Sequence, residues 1–243
     1  MKNKTASQAQ LNFSHGLKDG LPIGLGYLSV SFAFGVQASI VGIPVFMSVF
    51  ISMTNLTSAG QLAGLTIIAA FGSILELILS QLVINARYFL MSITVSQKLE
   101  KDFNIGHRFL ASAFITDEIF AVAAAKPCTI NKKYFFGLVI LPYLGWTIGT
   151  LIGAAAGDIL PANITSALGI ALYAMFIAII IPPSIKEKGV LPVVILASGI
   201  SCAFYFIPPL KILSSGLAII ISAVIAAAII AFICPIRQKE NTL

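Results

Sequence analysis

Between Asp19 and Glu76 the chain runs for 56 residues without a single charged side chain. As one continuous helix this stretch would be about 84 Å long, because each residue adds roughly 1.5 Å. The hydrocarbon core of a bilayer is only about 30 Å thick, so the stretch has to fold back at least once. Over all 243 residues, 58% are apolar and 10% are charged. These proportions exclude an ordinary soluble enzyme, a disordered chain and a nucleic-acid binder, and they predict a polytopic membrane protein.

The apolar runs define the expected fold. We predict an all-α fold, a polytopic integral membrane helical bundle in a single domain over residues 1–243, with about seven full spans and one or two half-helices. The clearest expected spans are residues 21–41, 134–157, 162–181, 190–207 and 212–233. Polar segments flank them at residues 1–19 and 234–243. The first segment has no apolar stretch with a cleavage site, so the first span is expected to act as its own insertion signal.

The basic residues predict most of the topology. The positive-inside rule places both termini and the loop 182–189 in the cytoplasm, and the loop 158–161 outside. The middle of the chain is ambiguous because residues 98–108 and 126–133 each carry three Lys or Arg residues. Either the apolar run between them, residues 109–125, is re-entrant, or one basic loop lies outside against the rule.

The sequence also predicts interrupted helices. The apolar run 45–53 would form only about 14 Å of helix, half a bilayer, before a small and polar stretch at residues 54–61. We expect a half-helix, a break, and a new helix from Gly60 that runs through Glu76 to about residue 82. A second break is expected near Asn85.

The polar break has a chemistry of its own. Unwound backbone at membrane depth is tolerated only where it is buried in protein or lines a wet cavity. The N–H groups at the start of the following helix suit a carboxylate, and the C=O groups at the end of the preceding helix suit a cation. Thr57 or Ser58 would cap the new helix and Gln61 would lie in its first turn. The alternative interpretation is a Ser/Thr-rich kink without function.

Four ionisable residues lie in apolar surroundings: Glu76, Arg87, Asp117 and Glu118. Each costs about 2.5–3.5 kcal/mol or more at the centre of a membrane helix, so each should face a cavity or another of the set. We expect Arg87 to pair with Asp117 or Glu118, unless it snorkels to the interface. Adjacent acids point in different directions on a helix, so one is expected to be functional and one structural. The alternatives are an inter-helix hydrogen bond for Glu76 and an interfacial position for the other two acids.

Residues 22–27 (PIGLGY) resemble residues 142–146 (PYLGW), and each segment opens a glycine-rich span. Such a weak internal repeat would fit the repeat construction of many transporters. The similarity also has a trivial explanation, because Gly and Pro are frequent in membrane helices.

No enzyme motif is present, neither HExxH, GxSxG nor GxGxxG, and there is no P-loop. His15 and His107 fall in hydrophilic segments, and the three cysteines are far apart. We therefore expect no catalysis, no ATP hydrolysis, and no metal or cofactor. An intramembrane enzyme and a structural or chaperone subunit remain as alternative classes.

Three segments together carry a resemblance to a known family. They are residues 57–62 (TSAGQL), 85–91 (NARYFLM) and 116–121 (TDEIFA). In order and spacing they resemble the AzlC-type family, the large permease subunit of bacterial branched-chain amino acid exporters. Two differences fall where a substrate pocket is expected: Thr57-Ser58 stands where the family often has Ala-Gly, and Leu62 replaces an aromatic residue.

The resemblance implies secondary-active export of branched-chain amino acids across the bacterial cytoplasmic membrane. It also implies a separate small hydrophobic AzlD-type membrane subunit as partner. The residues expected to bind substrate are Thr57, Ser58, Gly60, Gln61, Asn85 and Arg87. The residues expected to couple protons are Asp117 or Glu118, with Glu76 second. The alternative function is transport of another small solute, a different amino acid or a monovalent ion.

Overall fold

A computed structural model describes residues 11–157, 187–212 and 214–233, together with isolated positions between 159 and 185. Within these residues the chain forms nine α-helices, one 3₁₀ helix and no strand, which confirms the all-α prediction. The α-helices are α1 (Phe13–Ile40), α2 (Val45–Thr54), α3 (Ser58–Ala69), α4 (Ile74–Lys98), α5 (Ile105–Ser112), α6 (Asp117–Ala125), α7 (Lys132–Ala156), α8 (Val190–Phe206) and α9 (Ser215–Ile233). The 3₁₀ helix is Pro208–Ile212.

Four of these helices are long and apolar enough to cross a membrane: α1, α4, α7 and residues 216–233 of α9. Three shorter apolar helices, α2, α3 and α8, accompany them. Nearly all of the predicted span 162–181 lies outside the described residues, as do residues 1–10 and the terminal segment 234–243.

The chain divides into two compact units. The first comprises the described residues within Met1–Leu65 and Ile84–Gly169, and the second those within Thr66–Val83 and Ile170–Leu243. In the second unit, Gly216 on α9 lies against Ile67 and the Cβ of Glu76. The ion pair and the hydrogen-bond networks of the candidate site lie in the first unit.

In the first unit, α1 and α7 run parallel and pack backbone against backbone. Gly16 lies against Tyr134 near the start of both helices, and Gly153 lies against Phe32 near their ends. The glycines at which a Cβ would overlap the partner's backbone are Gly16, Gly20, Gly24, Gly35, Gly137, Gly145, Gly149 and Gly153. Small residues allow such close approach between membrane helices, where van der Waals packing and not water exclusion drives association.

The turn after α1 begins close to the predicted end of the first span at residue 41. Gly42 has a φ of 84°, and Ile43 N donates to Ala38 O at 2.9 Å, which closes the end of the helix. The half-helix that follows, α2, has ten residues and is about 15 Å long. The break is shorter than the predicted 54–61, because only residues 55–57 separate α2 from α3.

The prediction of one helix from Gly60 through Glu76 to about residue 82 is wrong, as is the predicted break near Asn85. The chain instead turns between α3 and α4, and Asn85 lies inside the continuous α4. The turn is closed by Gly72 N, which donates to Ile67 O at 2.9 Å. Phe71 occupies its left-handed position with a φ of 53°, where glycine is the usual residue. The sequence therefore lacks the usual signal for the end of a helix.

Residues 100–129 leave and return to the same place in the unit, which is the arrangement that the re-entrant alternative predicts. Its ends meet in a bridge between Leu99 and Ile130, with Ile130 N donating to Lys98 O at 2.8 Å. The predicted run 109–125 is not one helix but parts of the short helices α5 and α6. Both basic loops therefore lie at the same end of the unit.

The start of α1 lies at this end too. Lys126 Nζ is 2.8 Å from Asp19 Oδ2, and Asn131 Nδ2 donates to Leu11 O at 2.5 Å. The basic residues at this end of the unit are Lys18, Lys98, Lys101, Arg108, Lys126, Lys132 and Lys133. The largest buried apolar cluster lies beside it and includes Val95, Phe103, Ile115, Ile119, Ile130, Phe135 and Leu138.

The close packing of α1 on α7 predicts the effect of adding one methyl group. Gly20→Ala places a Cβ against the carbonyl of Leu138, so we expect the free energy of unfolding to fall by roughly 1–3 kcal/mol. Gly26→Ala is the matched control on the same helix, because nothing lies within 4 Å of its Cβ. Thermal unfolding in detergent checks both variants, and equal stability of the two would contradict the packing described here.

Candidate functional site

The candidate site lies near the middle of α1 and α7. Two breaks lie beside it, one between α2 and α3 and one between α5 and α6. Tyr27 is close to the midpoint of α1, and Trp146 is close to the midpoint of α7. The two rings meet edge to face, with centroids 5.0 Å apart. Gln61 in the first turn of α3 binds Trp146, and Thr116 in the break between α5 and α6 binds Tyr27.

Arg87 and Asp117 form an ion pair between α4 and the start of α6. Arg87 Nη1 is 3.0 Å from Asp117 Oδ2, and the two side chains are 41% and 36% exposed. The other terminal nitrogen of Arg87 donates to the hydroxyl of Tyr88 at 3.2 Å, and the guanidinium carbon lies 4.9 Å from the centre of that ring. The predicted pairing of Arg87 with one of the two acids is thereby confirmed.

Glu118 has a different partner. Its Oε2 lies 2.5 Å from the hydroxyl of Tyr27, which also lies 2.6 Å from Thr116 Oγ1. Tyr27 and Thr116 are buried, whereas Glu118 is exposed. The adjacent acids therefore point to different helices, as the sequence predicts.

Each helix that begins at the site has a threonine N-cap bound by a tyrosine. Thr57 Oγ1 accepts from Gly60 N at the start of α3 and from the hydroxyl of Tyr88 at 3.3 Å. Thr116 Oγ1 accepts from Ile119 N at the start of α6. Both caps are 3% exposed, so these helix starts are buried in protein. The expectation that Thr57 or Ser58 caps the helix is met by Thr57.

Gln61 links three helices through buried hydrogen bonds. Trp146 Nε1 donates to Gln61 Oε1 at 3.0 Å, and Gln61 Nε2 donates to Ser52 Oγ at 2.8 Å. Ser52 Oγ lies 2.7 Å from Thr150 Oγ1 on α7. All four residues are at most 3% exposed. Buried polar groups that are fully hydrogen-bonded fix one arrangement of their helices.

The remaining predicted residues are Ser58, Gly60 and Asn85 in the first unit and Glu76 in the second. Ser58 is the first residue of α3, Gly60 is buried in its first turn, and Asn85 lies on α4 two residues before Arg87. Glu76 belongs to the second unit, in the first turn of α4, where its N–H donates to Ser73 Oγ at 3.2 Å. An acid in this position complements the helix dipole. Its role in proton coupling stays a prediction.

Sequence reasoning missed six residues of these networks: Tyr27, Ser52, Tyr88, Thr116, Trp146 and Thr150. Four of them had a signal: Tyr27 and Trp146 occupy matching places in the weak repeat, and Tyr88 and Thr116 lie in segments that carry the family resemblance. The described residues contain no group of three His, Cys, Asp or Glu side chains that could hold a metal ion.

The Gln61 network predicts a measurable coupling. Trp146→Phe removes the donor to Gln61 Oε1, and a buried acceptor without a partner costs roughly 1–3 kcal/mol of unfolding free energy. Adding Gln61→Leu removes that acceptor, so the penalty for Trp146→Phe should shrink in the double variant. Unfolding of the single and double variants in detergent measures this coupling. Additive effects would show that the hydrogen bond contributes nothing.

Residues 22–160 of the chain match the family model described as AzlC protein. The chain is 28% identical over 223 residues to the inner membrane protein YgaZ of Escherichia coli K12, covering 88% of this chain and 91% of that protein. It is 30% identical over 172 residues to an uncharacterized membrane protein of Archaeoglobus fulgidus, covering 70% and 75%. No solved structure matches it. With more than half of its length matched, the chain belongs to the AzlC family of membrane proteins.

Proposed function

We propose that this protein is the large permease subunit of a two-component secondary exporter of branched-chain amino acids, acting in the bacterial cytoplasmic membrane. The observation that carries the proposal is the meeting of two interrupted helices beside the Arg87–Asp117 ion pair. Polar breaks at half depth are the usual construction of substrate and ion sites in secondary transporters. Membership of the AzlC family supports the same role.

The site has groups suited to a zwitterion. The N–H groups at the start of α3 favour a carboxylate, with Thr57, Ser58, Gly60 and Gln61 around them. Arg87, held by its contacts with Asp117 and Tyr88, is the cation of the site. Asn85 lies two residues before it on α4. A carboxylate, either Asp117 or Glu118, would neutralise the ammonium group or take up the coupling proton. Glu76 remains the second choice for the proton.

The basic end of the first unit supports an orientation. Residues 98–108 and 126–133 lie at this end together with the start of α1. By the positive-inside rule this end is cytoplasmic, and with it the N-terminus. A cytoplasmic C-terminus follows from the charges of residues 234–243.

Two further parts of the proposal rest on the family. An AzlD-type small membrane subunit is the proposed partner, and the protein is a transporter and not an enzyme. The alternative is transport of another small solute. It is favoured by Thr57-Ser58, because these polar residues stand at the helix start where the family often has Ala-Gly.

The direct test is efflux of preloaded labelled isoleucine from cells that express this chain. We expect efflux that requires the AzlD-type partner and stops when the proton gradient is collapsed. Competition by leucine and valine is the check on substrate class. Efflux of a different amino acid only, with the partner present, would favour the alternative. No efflux of any amino acid would contradict the export of amino acids.

Arg87→Lys tests the role of the guanidinium. Lysine keeps the charge but cannot contact Asp117 and the hydroxyl of Tyr88 together with a planar group. Losing one charge-assisted hydrogen bond should lower the efflux rate per inserted protein roughly tenfold. Arg108→Lys is the matched control, because Arg108 binds Ser96 outside the site. Full activity of Arg87→Lys would indicate an interfacial arginine without a role in transport.

A further inference from the structure

The two adjacent acids of the site differ in how their charges are compensated. Asp117 is 3.0 Å from Arg87, whereas Glu118 Oε2 contacts the neutral hydroxyl of Tyr27 at 2.5 Å. Among the residues that the structure describes, no Lys, Arg or His side chain lies within ion-pair distance of Glu118. Glu118 is therefore the carboxylate of the network whose charge has no cation opposite it.

The charge count of this network favours proton uptake at Glu118. With every group ionised, Arg87 contributes one positive charge, and Asp117 and Glu118 contribute two negative charges. One negative charge is then left without a cation in the network, and binding one proton removes it. Protonation of Asp117 would instead break the ion pair and leave Arg87 without its closest partner. Protonation of Glu118 neutralises the network and leaves that pair intact.

Tyr27 is placed to respond to this proton. Its hydroxyl carries one hydrogen and has two neighbours, Glu118 Oε2 at 2.5 Å and Thr116 Oγ1 at 2.6 Å. When Glu118 is ionised, Tyr27 donates to the carboxylate, because charge-assisted hydrogen bonds are the stronger ones. When Glu118 has bound a proton from water, its O–H donates to Tyr27, and Tyr27 donates to Thr116. Only the O–H bond on Glu118 forms or breaks.

The same tyrosine is linked to the other interrupted helix through Trp146. Its ring lies edge to face on Trp146 at 5.0 Å, and Trp146 donates to Gln61 on α3. Tyr27 is thus the side chain that lies between the carboxyl on α6 and the polar start of α3.

We propose that Glu118 is the proton-binding group of this site and that Tyr27 is its positioning residue, linking the carboxyl to the Trp146–Gln61 contact. The other titratable or charged side chains of the network are Tyr88 and Arg87 on α4 and Asp117 on α6 itself. The proposal rests on the proposed function in one respect only: the proton bound here is the one that drives export.

Infrared spectroscopy of the purified full-length chain in liposomes tests the proton site without requiring transport. The signal is the C=O band of a protonated carboxyl, followed as the pH is lowered. We expect this band to disappear in Glu118→Gln and to persist in Asp117→Asn. In Tyr27→Phe its midpoint should move to higher pH by roughly one unit, because the hydrogen bond that stabilises the ionised form is lost.

Tyr143→Phe is the matched control. It removes a phenol from the same unit, the ring of Tyr143 lies against Phe114, and its hydroxyl makes no hydrogen bond to a carboxyl among the described residues. Its midpoint should equal that of the wild type. Three results would overturn the proposal: no titrating carboxyl band in the wild type, a band that survives in Glu118→Gln, or an unchanged midpoint in Tyr27→Phe.

Isoleucine efflux over a range of pH separates this proposal from the proposed function. If the infrared shifts are observed but the wild type exports no amino acid, the proton site stands and the transport role fails. If the wild type exports isoleucine with a pH dependence that Glu118→Gln leaves unchanged, export stands and the assignment of the proton to Glu118 fails.

Discussion

The contact between the backbones of α1 and α7 is the constraint on which the site depends. Both helices start at the basic end and run in the same direction, so residues near their midpoints lie at the same depth. Glycines bring the two axes close enough for Tyr27 to meet Trp146 at 5.0 Å. A side chain at these glycines would separate the helices, and with them the two halves of the polar network. The close packing of α1 on α7 thus determines where the polar network can form.

A second constraint acts on the interrupted helices: their backbone groups must be hydrogen-bonded in the absence of water. Each break exposes N–H groups near the middle of the unit, and each is capped by a threonine, Thr57 or Thr116. A tyrosine hydroxyl holds each cap in turn, Tyr88 for the first and Tyr27 for the second. Capping leaves the other N–H groups of the first turn for a ligand or water. Such helix ends persist at membrane depth only where protein or a wet cavity surrounds them.

The sequence predicts the charged part of the site better than its aromatic part. Arg87 and Gln61 stand out because polar side chains are costly in apolar runs. Tyr27 and Trp146 stand out only as matching positions of the weak repeat, since aromatic residues are common in membrane helices and their contact depends on which helices are neighbours. The break before α3 is readable from its polar residues, whereas the turn at Phe71 is hidden because an aromatic residue adopts the conformation usual for glycine. Local composition therefore shows which polar groups need a partner, and tertiary packing decides which residue is that partner.

The place of the two acids at the start of α6 has a consequence for proton binding. Both lie in the first turn, where the helix dipole lowers the free energy of a carboxylate. For Asp117 this effect adds to that of Arg87 and favours a permanent ion pair. For Glu118 it acts without a cation, and a neutral phenol is the only close hydrogen-bond donor from another helix among the described residues. A proton on Glu118 therefore changes the hydrogen bonding of Tyr27, while the ion pair between Asp117 and Arg87 is left in place.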